Sequence, residues 1–322
     1  MKKWILRIMA ILLVLIISGI AYLKFALPNV KAPENLKITA TPEMIKRGEY
    51  LANYVTMCVD CHSTRDWSKF SGPLIESTIG KGGEAFLHEY GFPGNFYSKN
   101  LTPFNLKNWT DGELLRAISC GVDKDGNAFF PVMPYPNYSK MDKDDIIAII
   151  AYLRTLPSIE NTTKESKADF PVNLILNTMP KDATFSERPS KDNFVRYGEY
   201  MTNAASCIEC HTNAVRGEKI KGMEFGGGRE FTFPGNKKIV SSNITPDKET
   251  GIGYWTEDMF VAKFKLYADK SKLQDYKSPK DFQTIMPWSQ YAGMDTVDLK
   301  AIYAYLQSIK PIKNKVISNP EN

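Results

Sequence analysis

Two pentapeptides hold the residues best suited to chemistry, Cys58-Val59-Asp60-Cys61-His62 and Cys207-Ile208-Glu209-Cys210-His211. Each has the spacing of a covalent haem c attachment site, with two thioether-forming cysteines and an adjacent imidazole for the iron. Once both sulfurs are bonded to the porphyrin edge, the next side chain can swing under the metal. The two motifs consume four of the 5 cysteines and two of the 3 histidines, so one chemistry accounts for nearly all of these residues. The competing readings are a pair of redox dithiols, or one zinc site built from both motifs. The zinc site would hold two ligands more than a tetrahedral ion takes. Two covalently bound haem c groups are therefore expected, with Cys58, Cys61, Cys207 and Cys210 as thioethers and His62 and His211 as axial ligands.

At 322 residues, with 43% hydrophobic and 24% charged residues, the chain is long enough for two globular domains and a tail. Its formal net charge of +5 is too mild and too evenly spread to argue for nucleic acid. Lys2, Lys3 and Arg7 precede an apolar run over 8–23. Positive charge ahead of such a run keeps that end inside and sends the remainder across the membrane. A cleaved signal peptide competes with a retained single-span anchor, and Gly19-Ile20-Ala21 would be its cleavage site. The anchor is favoured because the apolar segment continues past that site. The predicted location is the cytoplasmic (inner) membrane, single-pass, with the haem domains on the periplasmic side.

An internal repeat sets the expected architecture. Gly48-Glu49-Tyr50 recurs as Gly198-Glu199-Tyr200, and Phe92-Pro93-Gly94-Asn95 as Phe233-Pro234-Gly235-Asn236. Asn100-Leu101-Thr102-Pro103 recurs as Asn243-Ile244-Thr245-Pro246, and Trp109-Thr110 as Trp255-Thr256. Met133-Pro134 recurs as Met286-Pro287, each with a tyrosine five residues after the methionine, Tyr138 and Tyr291. Met141-Asp142 recurs as Met294-Asp295 ahead of a closing helix. On those helices Ile146, Ile149, Ile150 and Leu153, and Leu299, Ile302, Tyr303 and Leu306, share one face, with Asp142 and Asp295 placed to cap. Thr41-Pro42-Glu43 starts an earlier helix, and Thr110 with Glu113 has capping-box spacing. The predicted division is an anchor over 1–27, a tether over 28–40, a first domain over 41–157, a linker over 158–189, a second domain over 190–312 and a tail over 313–322. Within the linker, 170–179 is apolar enough to pack across both domains.

The repeat resembles dihaem c-type cytochromes, whose domains share the small all-helical fold of class I cytochrome c. It is more similar still to the cytochrome c subunits of bacterial membrane-bound alcohol and gluconate dehydrogenases. The matching stretches are Asn243-Ile244-Thr245-Pro246-Asp247, Thr250-Gly251-Ile252-Gly253-Tyr254-Trp255-Thr256, Met286-Pro287-Trp288 and Ala301-Ile302-Tyr303-Ala304-Tyr305-Leu306. The first copy adds Gly121-Val122-Asp123-Lys124-Asp125-Gly126 and Met133-Pro134-Tyr135. Those dehydrogenase subunits carry three haem motifs, whereas this chain has two. The resemblance implies an all-α chain, with two tandem cytochrome c-like helical domains after one N-terminal transmembrane helix.

In that fold a methionine closes the sixth position of the iron, its soft thioether favouring the reduced metal. Met133 and Met286 fit that role. Each precedes a proline, which drives its backbone out of the helical region, and each follows its histidine at a similar distance. The bland alternative is a methionine filling a core gap, which is the expectation for Met141 and Met294. His88 has no counterpart in the second copy and is expected on a surface loop. Cys120 aligns with Leu266 and is expected to be a buried small side chain. Trp109, Trp255, Asn100 and Asn243 are open to two roles, donating to haem propionates or fixing loop and helix starts.

Two six-coordinate irons leave no open position for a substrate. The expected function is outer-sphere electron transfer by a membrane-anchored carrier without its own substrate site. The donor would be a quinol-linked complex or a dehydrogenase, and the acceptor a terminal oxidase or another cytochrome. The alternatives are a cytochrome subunit of a membrane-bound dehydrogenase complex and, behind it, a dihaem peroxidase or a sulfur-compound oxidase.

Overall fold

A computed structural model describes residues 1–232, 238–278 and 281–317. The second copy of the Phe-Pro-Gly-Asn element, at 233–236, lies outside the described residues, as does the end of the tail. Helix α1 (Lys2–Phe25) is apolar, has no buried residue and has mean hydropathy of 2.5 over its most apolar window. Its 24 residues correspond to about 36 Å at 1.5 Å per residue, enough to cross a hydrocarbon core of about 30 Å. Residues 31–38 then run along the first repeat. Ile38 N donates to Asp111 Oδ2 at 2.9 Å, Lys143 Nζ reaches Glu34 at 2.7 Å, and Leu36 and Ile38 pack on the core.

In the first repeat α2 (Pro42–Tyr50) starts as the sequence predicts: Thr41 caps it, accepting from Met44 N at 3.2 Å, and Pro42 stands at its first turn. It runs into a π-turn (Leu51–Val55) and then the motif helix α3 (Cys58–Cys61). After the loop strands β1 (Ala85–Phe86) and β2 (Gly94–Tyr97) come α4 (Pro103–Leu106), α5 (Asp111–Cys120), α6 (Tyr135–Tyr138) and α7 (Lys143–Leu153). The capping box of Thr110 and Glu113 at α5 is present in both directions. Asp142 caps α7 by accepting from Asp144 N at 2.9 Å. The linker supplies β3 (Lys167–Ala168) and α8 (Val172–Ile175).

Among the described residues the second repeat keeps the sequence of long helix, motif turn, strands and closing helices, but has an unbroken first helix, an added hairpin after the motif and no counterpart of α4. It holds α9 (Phe194–Ala204), the motif helix α10 (Cys207–Cys210), β4 (Ala214–Val215), β5 (Glu218–Lys219), β6 (Glu230–Thr232), β7 (Lys238–Val240), α11 (Glu257–Lys265), α12 (Trp288–Tyr291) and α13 (Thr296–Ser308). In each repeat the first and last long helices cross closely, α2 on α7 and α9 on α13. A glycine makes each crossing possible. A Cβ on Gly48 would lie 1.8 Å from the Ala148 carbonyl oxygen, and one on Gly198 would lie 1.9 Å from that of Ala301. The apolar faces read from the sequence are the core: Ile146, Ile149, Ile150, Leu153, Leu299, Ile302 and Leu306 are buried, and Tyr303 is half-buried against them.

The chain is not all-α. Among the described residues three small antiparallel sheets stand beside the helices, ordered β1-β2-β3, β4-β5 and β6-β7. The linker strand β3 pairs with β2, Gly94 opposite Ala168 and Asn95 opposite Lys167. Strands of two to four residues are too short to leave a period-two pattern, which is why the motif-to-helix segments read as loops. Asp295, expected to cap α13, makes no side-chain capping bond. Its backbone N–H bonds Tyr50 Oη at 3.0 Å across the two repeats, as that of Asp142 bonds Tyr200 Oη at 3.2 Å. Segment 170–179 packs on α1 rather than across both repeats.

Candidate cofactor sites

Both motif helices are single turns, so the two cysteines of each lie three residues apart on one side. Each turn is entered through a left-handed residue, Met57 at φ 59° and Ser206 at φ 54°, an unusual conformation for a side chain with a Cβ. Each is closed by the histidine, whose backbone N–H reaches the first cysteine's carbonyl at 3.1 Å for His62 and 3.0 Å for His211.

The imidazoles are held identically. His62 Nδ1 lies 2.6 Å from Lys99 O, and His211 Nδ1 lies 2.7 Å from Ser242 O. A carbonyl can only accept, so Nδ1 carries the proton and Nε2 keeps its lone pair for a metal. Burial pulls both imidazoles below the ordinary histidine range despite those carbonyls, which keeps the ligand form neutral. The carbonyls belong to the residues just before Asn100 and Asn243, and a glycine makes room for each. Gly82 N–H bonds His62 O at 2.9 Å, and Gly227 N–H bonds His211 O at 2.8 Å. A Cβ on either would come within 2.5 Å of the adjoining backbone, of Lys99 or of Ser242 and Asn243. The sequence carried a signal for this pair, a Gly-Gly step after each motif (Gly82-Gly83 and Gly227-Gly228), which the repeat reading passed over.

The thiols lack the electrostatic setting of a redox dithiol. Burial raises Cys58 and Cys61, and pushes Cys207 up to about 12, whereas a reactive dithiol needs a depressed thiol. The cysteines are unpaired by disulfides. Among the described residues no cluster of three or more His, Cys, Asp or Glu side chains is placed to hold a metal ion, so the two motifs do not form one zinc site.

The methionine loops are tied to the motifs through the tyrosines that the repeat singled out. Tyr138 Oη donates to Thr56 O at 2.5 Å, and Tyr291 Oη donates to Ala205 O at 2.7 Å. Thr56 and Ala205 each stand two residues before the first cysteine of their motif, and Thr56 Oγ1 also lies 3.2 Å from Cys58 Sγ. Met133 and Met286 are half-buried against the core, with matching turns: Tyr135 N–H to Met133 O and Trp288 N–H to Met286 O, both 2.8 Å. Two buried donors near these loops lack a protein acceptor, Tyr135 Oη and Gln290 Nε2. Burial pushes the Tyr135 phenol up to about 12, so it remains a donor. Unpaired sulfurs, open imidazole nitrogens, half-buried thioethers and donors awaiting an acceptor fit a covalently attached haem with carboxylate arms.

The remaining candidates resolve differently. Met141 and Met294 are fully buried packing residues. His88 sits on the surface, paired with Asp169 at 2.5 Å and with Asn95 at 3.1 Å. Cys120 is buried, but Leu266, its counterpart by alignment, is 69% exposed, so the two positions are not equivalent. Asn100 and Asn243 spend both ends on their own loops. The Asn100 amide donates to Ile159 O and Asn161 O, the Asn243 amide to Ile312 O and Thr250 Oγ1, and each side-chain carbonyl takes the threonine two residues on. They fix loops.

The two sites meet across the repeats. Asn137 Nδ2 donates to Glu209 Oε1 inside the second motif at 3.1 Å, and its carbonyl accepts from Asn203 Nδ2 at 2.9 Å. Helix α6 packs on α9, while α12 packs on the π-turn of the first repeat. The first repeat also grips the second methionine loop. The fully buried Ser71 donates to Met286 O at 2.6 Å and accepts from Trp288 N at 3.0 Å, while Ser71 N donates to Gln283 Oε1 at 2.7 Å. Reciprocal tyrosine–carboxylate bonds complete the contact: Tyr50 Oη to Asp298 at 2.7 Å and Tyr200 Oη to Asp145 at 2.6 Å.

No family model matches the chain. It is 27% identical over 291 residues to the cytochrome c subunit of the quinone alcohol dehydrogenase of Gluconacetobacter polyoxogenes, covering 85% of this chain and 57% of that protein. It is 26% identical over 285 residues to the gluconate 2-dehydrogenase cytochrome c subunit of Pantoea cypripedii, 84% of this chain and 60% of the relative. A dihaem c-type cytochrome of Cereibacter sphaeroides is 27% identical over 315 residues, covering 94% of this chain and 97% of its own length. The chain thus spans less than two thirds of the dehydrogenase subunits it matches, and nearly all of the dihaem protein.

Proposed function

We propose that this chain is a membrane-anchored dihaem c-type cytochrome that passes electrons one at a time between protein partners. Haem c would be attached at Cys58 and Cys61, and at Cys207 and Cys210, with His62/Met133 and His211/Met286 as the axial pairs. The observation that carries this is the twofold use of one design: an imidazole with Nδ1 given to a backbone carbonyl and Nε2 free, beside a methionine loop that its tyrosine ties to the motif. When bound, haem c supplies a one-electron iron couple. The protein's residues hold the ligand histidines neutral, orient them and present a thioether that favours the reduced metal. The contacts of Asn137 with Glu209 and Asn203 cross the repeats and would hold the two attachment sites near each other, which suits transfer between them. Helix α1 would fix this traffic to the outer face of the cytoplasmic membrane. The donor would be a quinol-linked complex or a dehydrogenase, and the acceptor a terminal oxidase or another cytochrome.

A second reading, subunit of a membrane-bound dehydrogenase, is favoured by the likeness to alcohol and gluconate dehydrogenase subunits. Co-purification of a dehydrogenase from solubilised membranes would establish it, and purification alone would leave the independent carrier. The test of the site itself is spectroscopic. Met133→Ala and Met286→Ala should each abolish half of the ferric sulfur-to-iron charge-transfer band. A band unchanged in either variant would remove that methionine from the axial pair.

A further inference from the structure

Segment 170–179 leaves large apolar side chains uncovered beside the membrane helix. Phe170 is 77% exposed and Ile175 is 45% exposed. The segment does not hang free: α8 and the turn after it (Leu176–Thr178) pack on the outer end of α1, where Asn177 Nδ2 donates to Leu23 O at 3.0 Å. Leu23 lies in the last turn of α1, whose carbonyls have no partner within the helix, so Asn177 satisfies one at the point where a spanning helix leaves the hydrocarbon. Tyr22, Lys24 and Phe25 occupy that turn, the aromatic and basic composition of a membrane boundary. Lys167 and Lys181 flank the segment, and of the carboxylates beside them Asp169 is paired with His88 and Asp182 accepts from Lys31 N.

We infer that 170–179 is a membrane-interface element, with Phe170 and Ile175 entering the headgroup–acyl boundary of the bilayer beside α1. The inference rests on α1 spanning the membrane. Its consequence is a fixed pose for the first repeat. Strand β3 joins the element to β2, Lys31 N donates to Asp182 Oδ1 at 2.8 Å, and Glu34 pairs with Lys143. Gly112 packs so tightly on residue 34 that a Cβ there would lie 1.9 Å from the Glu34 carbonyl oxygen. The first repeat therefore rests on the lipid surface rather than swinging on a free tether.

The test uses the full-length holoprotein, one per nanodisc, in phosphatidylcholine with phosphatidylglycerol. Nitroxides are placed one at a time in Phe170→Cys, Ile175→Cys, Leu13→Cys in α1 and Val215→Cys on exposed β4. Collision with oxygen is compared with collision with a water-soluble nickel chelate. The expected result is a chelate collision rate at 170 and 175 several-fold below that at 215, with oxygen favoured, and Leu13 the most lipid-like. Labels at 170 and 175 as chelate-accessible as Val215, with Leu13 still lipid-like, would overturn the interface element and leave the anchor standing. Labels shielded from oxygen and chelate alike would mean that protein covers this face, which also overturns it. Chelate access at Leu13 would show the anchor itself to be misplaced.

Discussion

Removing one hydroxyl from the contact between the repeats should weaken the whole fold measurably. Asp145 is 1% exposed and takes Arg47 through two bonds of 2.9 and 2.8 Å, Arg188 at 2.5 Å and the Tyr200 hydroxyl at 2.6 Å. Tyr200→Phe deletes a hydrogen bond between the repeats to a buried charged acceptor, worth about 1.5–3 kcal/mol. It also strips Asp142 N–H of its acceptor, Tyr200 Oη at 3.2 Å. The mirror variant Tyr50→Phe deletes the bond to fully buried Asp298, which keeps Tyr197 and Lys191 as partners, and should cost a similar amount. With a urea slope of about 3 kcal/mol/M, each variant should lower the midpoint of the holoprotein by about 0.5–1 M, followed by far-UV circular dichroism. The double variant should depart from additivity, because both bonds hold the same contact. Tyr22→Phe on the exposed face of α1 is the control and should not move the midpoint. If the two contact variants behave like that control, the repeats are not held together as described.

Acid should attack the same contact. Burial pushes the Asp145 carboxyl up, but the bonds and charge of Arg47, with Tyr200 and Arg188, outweigh it and hold the group below the ordinary aspartate range. A carboxyl with a depressed folded value adds stability that is present above its unfolded value, near 3.9, and lost as pH falls through the folded one. Asp145→Asn should lose about 3–5 kcal/mol at neutral pH, by stranding Arg47, and flatten the pH dependence of urea stability in that acid window. Ser71→Ala should leave one redox couple where it is and lower the other. It removes a buried bond of about 1 kcal/mol from the backbone of Met286, but none from that of Met133, and potentiometric titration of the holoprotein reads both couples. Two couples moving together would show that Ser71 acts on general packing.

The parts legible in the sequence were those with local signatures. The two Cys-x-x-Cys-His pentapeptides, the Met-Pro-x-x-x-Tyr spacing and the apolar faces of α7 and α13 are written within a few residues of themselves, and the structure buries those faces and folds each pentapeptide as a single turn. The sheets were not legible because a two-residue strand such as β1 or β3 leaves no periodicity, and β3 finds its partner from the far side of the first repeat. Gly48-Glu49-Tyr50 and Gly198-Glu199-Tyr200 were visible as a repeat. That each tyrosine bonds the other copy, Tyr50 to Asp298 across 248 positions, depends on how two folded units meet. The same reason hid Ser71, whose place under Met286 is set by a loop of the other repeat. Asp295 fits the same local capping rule as Asp142 yet makes no side-chain cap, although both donate their backbone N–H to a tyrosine of the other repeat.

The central claim is that both motifs carry haem by covalent bonds. Peptide mass mapping of the protein, made in a host that attaches haem c, tests it without reference to activity or partner. The account predicts that the peptide holding Cys58, Cys61 and His62 and the peptide holding Cys207, Cys210 and His211 are each heavier by one haem. Either peptide appearing at the mass of its bare residues, with thiols open to alkylation, would contradict it.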